Sequence, residues 1–134
     1  MSLKVFLVED SAAMREYLTG ILVAEAEIEL IGIAETEVQA TEWLVRNQGK
    51  WDIAVVDLFL REGSGAGVVR QCRDRCAGQT VLVMSNHGQL PMLHQCKLLG
   101  ADAVYDKTTE LDDLVAYCIG LSAQKSARLV RQHP

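Results

Sequence analysis

The sequence is poor in basic charge, and this limits the partners that it can bind. Its 134 residues carry 13 lysines and arginines against 18 aspartates and glutamates, which gives a formal net charge of -5. A nucleic-acid surface needs a basic stripe to neutralise phosphates. We therefore expect no direct binding of DNA or RNA by this chain alone.

Long apolar runs are also missing. No stretch approaches the roughly 20 uninterrupted apolar residues of a membrane span. The opening MSLKVFLVEDS has an acidic pair where a signal peptide would continue its apolar core. We therefore expect a cytoplasmic protein without a membrane partner.

Cysteines with metal-binding spacing are absent as well. The four cysteines, Cys72, Cys76, Cys96 and Cys118, lie inside helical patterns and form no CxxC pair. Cys72 and Cys76 are four residues apart, but that spacing alone is weak support for zinc. Reduced, packed thiols are therefore the expectation, rather than disulfides or a zinc site.

The sequence does contain enough apolar residues for one compact domain. Hydrophobic residues make up 49% of the chain, and a chain of this length leaves little room for a second core. We predict one domain over residues 1–124 and no output domain. Residues 125–134 are expected to be a basic polar tail or an extension of the last helix.

Short apolar runs alternate with helical patterns along the chain. The predicted strands are LKVFLVED near the start and then residues 27–34, 53–57, 80–85 and 101–107. Ser11 and Thr36 are suited to cap the first two helices. The predicted helices are SAAMREYLTGILVAEA (11–26), then 36–47, 66–76, Pro91 to about Gly100, and 109–124. Five such units predict an α/β sandwich with a mostly parallel sheet.

Two of the predicted helices have an apolar face that should pack on the sheet. On the first helix this face comprises Met14, Tyr17, Leu18, Ile21 and Leu22. On the last helix it comprises Leu111, Leu114, Val115, Cys118 and Ile119.

Charged and hydroxyl side chains stand where the predicted strands end. They are Glu9 and Asp10 after the first strand, Asp57 after the third, Ser85 after the fourth and Lys107 after the fifth. An aspartate at a strand end is usually a turn former or a helix cap. The carboxyl ends of parallel strands form one edge, however, and ligands bind there. One shared ligand would explain all five residues.

The three acids at this edge require a positive charge between them. Two carboxylates about 4 Å apart repel each other by roughly 4 kcal/mol at an effective dielectric constant near 20. Mg²⁺ fits, because it takes one or two carboxylates, keeps waters and leaves room for a phosphate oxygen. Mn²⁺ is an alternative. With Lys107 as a second cation, the pattern indicates phosphoryl transfer to the carboxylate of Asp57.

Four segments at these strand ends resemble the receiver domain of bacterial two-component response regulators. They are VED (8–10), VVDLFLREGSG (55–65), VLVMSN (81–86) and GADAVYDK (100–107). The resemblance extends to about Gln124. It implies a flavodoxin-like (CheY-like) doubly wound α/β fold, with a five-stranded parallel sheet in the order 2-1-3-4-5 flanked by five helices.

The resemblance also implies a set of residues around the phosphoryl group. Asp57 is the implied phosphoacceptor. Ser85 is implied to bond the phosphoryl group, and Lys107 to neutralise its charge. The backbone N–H groups of Leu58 and Asn86 would complete the phosphate site.

The implied metal ligands are Asp10, Asp57 and the backbone carbonyl of Phe59. Glu9 is implied to reach the metal through water. Phe59 and His87 occupy the positions that tune the lifetime of the phosphorylated state. We expect His87 to make dephosphorylation sensitive to pH, against the alternative of an exposed loop residue.

Three positions depart from the family pattern. The aromatic residue of the usual hydroxyl–aromatic switch is replaced by Val104, and the neighbouring Tyr105 is interpreted either as a packed strand residue or as a displaced switch. Thr108 and Arg61 stand where proline is common. Because Thr108 is not a proline, we expect a trans peptide there. Arg61 is either a loop residue facing solvent or a contact for the kinase.

The implied partners are a histidine kinase or a histidine phosphotransfer protein, and a downstream protein target. The target would bind the face that the fourth helix, the fifth strand and the fifth helix form together. A second copy of the chain is a further partner in a homodimer. The chain would be no enzyme beyond its own phosphorylation and dephosphorylation.

Two other functions are weighed. A phosphohydrolase with an aspartate nucleophile would carry a second aspartate where Phe59 stands. A flavodoxin-like module that binds flavin or acts as an adaptor without phosphorylation leaves the cluster of Glu9, Asp10 and Asp57 unexplained.

The glycine-rich stretch GSGAG (63–67) invites comparison with a phosphate-binding loop. It lacks the Gly-Lys-Ser/Thr ending of such loops. We therefore expect a flexible loop that leads into a helix.

Overall fold

The structure is a computed structural model that describes residues 2–86, 97 and 99–132, with side chains to residue 128. Its strands are β1 (Leu3–Val8), β2 (Ile28–Ala34), β3 (Ile53–Asp57), β4 (Thr80–Ser85) and β5 (Ala103–Asp106). Its helices are α1 (Ala12–Ala26), α2 (Glu37–Arg46), α3 (Gly65–Gln71) and α4 (Leu111–Gln132). The helix predicted from Pro91 to near Gly100 falls almost wholly outside the described residues.

All five strands are parallel, in the order β2-β1-β3-β4-β5. The predicted fold and strand order are therefore confirmed. Chain order reverses between β1 and β3, where Val8 lies opposite Val56. This register places Glu9 beside Asp57 at the carboxyl edge of the sheet. A crevice at that edge is where an open α/β sheet binds its ligand.

Helices cover both faces of the sheet, which explains why β3 and β4 are buried along their whole length. On one face, Phe6, Val8 and Val56 pack with residues of α2 and α3. On the other face, Leu7 and Val55 pack with residues of α1 and α4. Successive residues of a strand point to opposite faces, so each strand contributes to both clusters.

The predicted N-caps of the first two helices are present. The hydroxyl of Ser11 accepts the N–H of Met14 at 3.3 Å, and the hydroxyl of Thr36 accepts the N–H of Gln39 at 3.2 Å. Each bond satisfies one of the N–H groups that a helix leaves unpaired at its start. The first of these caps fixes the direction in which the chain leaves the acidic pair Glu9 and Asp10.

Three details of the helix predictions are wrong. Helix α3 ends at Gln71 rather than at Cys76, because the Arg75 side chain bonds the carbonyl oxygens of Cys72 and Gln79 and folds the chain into a turn. Tyr17 is 53% exposed and Ile119 is 40% exposed, although both were predicted to face the core. Both lie at the margin of the apolar stripe of their helix, where the helix surface meets solvent.

The described cysteines carry free thiols. Burial raises the pKa of Cys72 to about 11 and that of Cys118 to about 12. Cys76 is exposed, and Cys96 lies outside the described residues. Of the helices in the described part of the chain, none combines the length and the apolar character that a membrane span requires.

Candidate functional site

Three carboxylates meet at the carboxyl edge of the sheet. Asp57 is the last residue of β3, while Glu9 and Asp10 directly follow β1. One oxygen from each of the three lies within 4.8 Å of the others. Glu9 and Asp57 are buried, and Asp10 is partly exposed. Solvent therefore reaches the site on the side of Asp10, whereas Glu9 and Asp57 lie in its buried part.

One lysine links two of these carboxylates. The Nζ atom of Lys107 lies 2.7 Å from Oε1 of Glu9 and 3.1 Å from Oδ2 of Asp57. Its backbone N–H donates to the carbonyl of Ser85 at 2.7 Å, which fixes Lys107 just beyond β5. The five residues predicted from strand ends are thus placed along one edge, and Lys107 bonds three of the others, namely the side chains of Glu9 and Asp57 and the carbonyl of Ser85.

The charges shift the pKa values of the site in different directions. Burial would lower the pKa of Lys107, but its hydrogen bond to Glu9 and the charge of Asp57 raise the pKa above its ordinary value. Burial raises the pKa of Glu9, and the charge of Asp57 adds to this increase. The Lys107 ammonium group is therefore stabilised in its charged form, whereas the charged form of Glu9 is less favourable than that of an exposed glutamate.

Asp10 behaves in the opposite way to Glu9. Its partial burial alone would raise its pKa, but hydrogen bonds from the Glu9 side chain and from the Arg61 N–H outweigh that effect and lower it. Asp10, unlike Glu9, therefore carries a negative charge more readily than an exposed aspartate does. It also lies on the open side, where an ion from solvent would arrive.

The side chains present fit a divalent cation. Three carboxylates face a single ammonium group, so two negative charges stay unbalanced when all are ionised. Hard cations such as Mg²⁺ prefer carboxylate and carbonyl oxygens, and they bind one or two carboxylates while keeping several waters. Asp10 and Asp57 would hold the ion, with Glu9 close by. Phe59, whose carbonyl is the ligand implied by the family resemblance, stands on the loop after β3.

The backbone around Asp57 differs from the expectation at one position. The N–H of Leu58 donates to the carbonyl of Met84 at 2.8 Å, so it extends the β3–β4 ladder instead of facing Asp57. The N–H of Phe59 donates to Oδ1 of Asp57 at 3.2 Å. Because the ladder continues one residue past β3, the first N–H that can reach the acid belongs to Phe59.

Ser85 and Asn86 follow the neighbouring strand. The Ser85 side chain is buried, and its hydroxyl donates to the carbonyl of Tyr105 at 3.5 Å. That distance is at the outer limit of a hydrogen bond. Asn86 comes directly after β4 and is exposed. His87 lies outside the described residues.

Val104 and Tyr105 lie on opposite faces of β5. Val104 packs on the α2 and α3 face of the sheet, and Tyr105 packs on the α1 and α4 face. Burial raises the pKa of the Tyr105 phenol, and the nearby Tyr117 and Cys118 add to the increase. Tyr105 is thus a packed strand residue. Because adjacent residues of a strand face opposite sides, Tyr105 does not share the face of Val104.

Residues outside the predicted set surround the acids. Arg15 donates through Nη1 to the carbonyl of Glu9 at 2.9 Å, and its Nη2 lies 3.2 Å from Oε1 of Glu35. The N–H of Arg61 donates to Oδ2 of Asp10 at 2.6 Å. Of these contacts, only that of Arg15 with the end of β1 could have been expected from the sequence, because Arg15 lies one turn after the helix cap Ser11.

The glycine-rich stretch holds a carboxylate of the protein itself. Glu37 accepts the N–H of Ser64 at 2.8 Å, and its own N–H donates to the carbonyl of Glu62 at 3.2 Å. A Cβ atom at Gly67 would lie 2.3 Å from Oε2 of Glu37. Gly63 has a φ of 84°, a conformation that favours glycine. The loop is therefore tied to α2, in contrast to the flexible loop predicted from the sequence.

Comparisons with known proteins agree with this geometry. The family model of the response regulator receiver domain matches residues 5–118. No curated protein sequence matches the chain. The receiver domain of AraT, a response regulator from Geobacillus stearothermophilus, is 22% identical with a TM-score of 0.76, over 94% of this chain and 99% of that one.

Two further solved structures are similar. A LuxR-family two-component response regulator from Aurantimonas sp. SI85-9A1 is 19% identical with a TM-score of 0.78, over 92% of this chain and 87% of that one. The phosphorylated cyanobacterial phytochrome response regulator RcpA is 20% identical with a TM-score of 0.72, over 90% of this chain and 91% of that one. These likenesses show a shared fold, and the family match covers most of the sequence. The chain therefore belongs to the family of response regulator receiver domains of two-component systems.

Proposed function

We propose that this receiver domain accepts a phosphoryl group on Asp57 from a phosphohistidine of a sensor kinase or a phosphotransfer protein. The observation that carries the proposal is the position of Asp57, a buried carboxylate bonded to Lys107 in a cluster with Glu9 and Asp10. Phosphorylated RcpA and a receiver domain of DrrB activated by BeF₃ have the same fold and support it. The domain would act in the cytoplasm.

The transfer would need little more than positioning and charge neutralisation. An oxygen of Asp57 forms a bond to phosphorus while the phosphorus–nitrogen bond of phosphohistidine breaks. The imidazole leaves with the electron pair of that bond and takes a proton from solvent. Mg²⁺, or Mn²⁺ in its place, would neutralise charge on the phosphoryl oxygens when bound by Asp10 and Asp57.

The protein's own groups would stabilise the product. The Lys107 ammonium group already lies 3.1 Å from Asp57 and can pair with a phosphoryl oxygen. Among the described residues, the Ser85 hydroxyl bonds the Tyr105 carbonyl at a long distance, so turning toward the phosphoryl group would cost little. The N–H of Phe59 adds a donor beside the acid, and the N–H of Asn86 stays a prediction.

Signalling would follow from the turn of the Ser85 hydroxyl toward the phosphoryl group. When Ser85 leaves the carbonyl of Tyr105, β5 loses a contact to β4, and conformers with a different surface at β5 and α4 gain population. The phosphoryl group must bind one conformer more strongly for this shift to occur. A downstream protein would recognise that surface, and a homodimer is an alternative recipient.

Phe59 and His87 are proposed to tune the lifetime of the acyl phosphate. The Phe59 side chain is 42% exposed at the mouth of the site, where it can shield the bond from water. For His87 we expect a dephosphorylation rate that depends on pH near 6.5, the usual pKa of histidine. An unchanged rate profile between about pH 5.5 and 8 in His87→Ala would contradict this role.

Intact mass after incubation with phosphoramidate and Mg²⁺ tests the proposal. We expect the gain of one phosphoryl group, which disappears in Asp57→Asn and in the presence of EDTA. Asp74→Asn is the matched control, because Asp74 is an exposed acid remote from the site. No mass gain under any condition would contradict phosphorylation, and gain in Asp57→Asn would assign it to another residue.

A separate assay, the turnover of a free phosphomonoester, distinguishes the rival phosphohydrolase. Many turnovers of a free phosphomonoester would favour that enzyme class over a receiver. The structure offers no second acid two residues after Asp57, since Phe59 stands there. We therefore expect single phosphorylation without sustained hydrolysis of phosphomonoesters.

A further inference from the structure

Asp10 is held by a backbone group from another loop. Its Oδ2 atom accepts the N–H of Arg61 at 2.6 Å, across 51 residues of sequence. A hydrogen bond to an ionised carboxylate is roughly twice as strong as one between neutral groups. The other oxygen of the carboxylate, Oδ1, takes no part in this bond.

The backbone on the other side of Asp10 is fixed by α1. Arg15 is largely buried, and its Nη1 bonds the carbonyl of Glu9. Glu35 then joins the two arginines, 3.2 Å from Arg15 and 3.6 Å from Arg61. The peptide between Glu9 and Asp10 is thus held from α1, and the Asp10 carboxylate is held from the β3–α3 loop.

The two contacts of Arg61 differ in strength. Its guanidinium group is 68% exposed and lies 3.6 Å from a partner that is 40% exposed, and such surface pairs contribute little. Its backbone N–H makes a short bond to a charged acceptor in the site itself. The backbone group should therefore matter more than the side chain.

We propose that Arg61 is a positioning residue for the divalent cation, because its backbone N–H orients the Asp10 carboxylate before the ion binds. The proposal rests on the cation site of the proposed function. A carboxylate that is already oriented loses less conformational freedom when the ion binds. The affinity for the ion is therefore higher. If the N–H instead competed with the ion for Asp10, its removal would increase affinity.

Proline and alanine at position 61 separate the two contacts. Arg61→Ala removes the guanidinium group but keeps the N–H, whereas Arg61→Pro removes both. Titration of each protein with MgCl₂, followed by ¹⁵N–¹H correlation spectra, gives Kd and shows that the variant is folded. We expect a Kd about threefold to tenfold higher in Arg61→Pro and a change below about twofold in Arg61→Ala. Equal Kd values in the two variants, or tighter binding by Arg61→Pro, would overturn the proposal.

A measurement without metal covers the case in which Arg61→Pro does not fold. Hydrogen exchange at the Arg61 amide should be slower in the wild-type chain than in Asp10→Ala, since the N–H donates to Asp10. Equal exchange rates would overturn the proposal. A wild-type chain that binds Mg²⁺ but gains no phosphoryl group would contradict only the proposed function, so the two failures are distinguishable.

Discussion

The two edges of the sheet each pair a lysine with an aspartate, in different surroundings. At the amino edge, Asp52 accepts the N–H of Lys4 at 2.7 Å and lies 3.4 Å from Nζ of Lys125, and both side chains are about one-third exposed. At the carboxyl edge, the Asp57 side chain is 3% exposed and the Lys107 side chain is 15% exposed. Two further carboxylates, Glu9 and Asp10, stand beside them.

The difference lies in how the charge is balanced. At the amino edge, one carboxylate meets one ammonium group, and water can solvate both. At the carboxyl edge, one ammonium group meets three carboxylates, two of them shielded from water. A chain does not bury excess charge of one sign without cost. The imbalance thus distinguishes a ligand site from an ordinary ion pair made of the same residue types.

The largest effect should come from removing the buried cation. Lys107→Met leaves Glu9 and Asp57 buried without their partner, and breaking a buried pair in this way costs roughly 3 kcal/mol of unfolding free energy. Urea denaturation at pH 7.5 in EDTA measures it. Lys50→Met, at an exposed lysine, is the control. Equal losses of unfolding free energy in the two variants would show that Lys107 contributes no more to stability than an exposed lysine does.

Addition of a divalent cation should have the next largest effect. At a concentration of Mg²⁺ ten times its Kd, binding to the folded state stabilises the wild-type chain by roughly 1.4 kcal/mol. Asp10→Asn should lose this stabilisation, and Asp52→Asn should retain it. Thermal unfolding with and without Mg²⁺ measures both, and a similar gain in Asp10→Asn would place the ion elsewhere.

A smaller effect should separate Glu9 from the other acids by its pH dependence. Because the folded-state pKa of Glu9 is raised above 4.5, the stability it contributes is present below about pH 4.5 and lost as pH rises through the raised value. Glu9→Gln keeps an uncharged acceptor for Lys107. Without metal, we expect it to match the wild type in stability at low pH and exceed it at neutral pH. A constant difference across pH, measured by urea denaturation, would contradict the raised pKa.

The smallest effect is expected at the amino edge. Lys125→Met removes a partly exposed ion pair with a separation of 3.4 Å, for which the loss should be below about 1 kcal/mol. High salt should reduce this loss further, because ions screen exposed charges. A loss as large as that of Lys107→Met would remove the contrast between the two edges.

The main elements of the fold follow from local patterns in the sequence. Runs such as IAVVD and TVLVMS predict strands, and the structure shows both strands buried throughout. Ser11 and Thr36 predict helix starts because their hydroxyls can bond N–H groups within the next turn. Tyr17 and Ile119 were misplaced because the edge of an apolar stripe depends on what the helix packs against.

Most of the site residues can be predicted from the sequence because they stand at strand ends, which the apolar pattern indicates. The positions of Glu9, Asp10, Asp57 and Lys107 require only a parallel sheet whose carboxyl ends share an edge. The contacts around them cross long distances in sequence, as Arg61 with Asp10 and Glu37 with Ser64 do. No local periodicity encodes such pairs.

The strands, the first helix caps and the acids at one edge can be predicted from the sequence, because they depend on neighbours within a few residues. Three features follow only from the folded chain: which N–H faces Asp57, the packing of Tyr105 and Val104 on opposite faces, and the bond from Arg61 to Asp10. Those outcomes depend on strand register and on loops folded against each other. Small shifts of register exchange one N–H or one face for the next, so only packing over the whole domain selects among them.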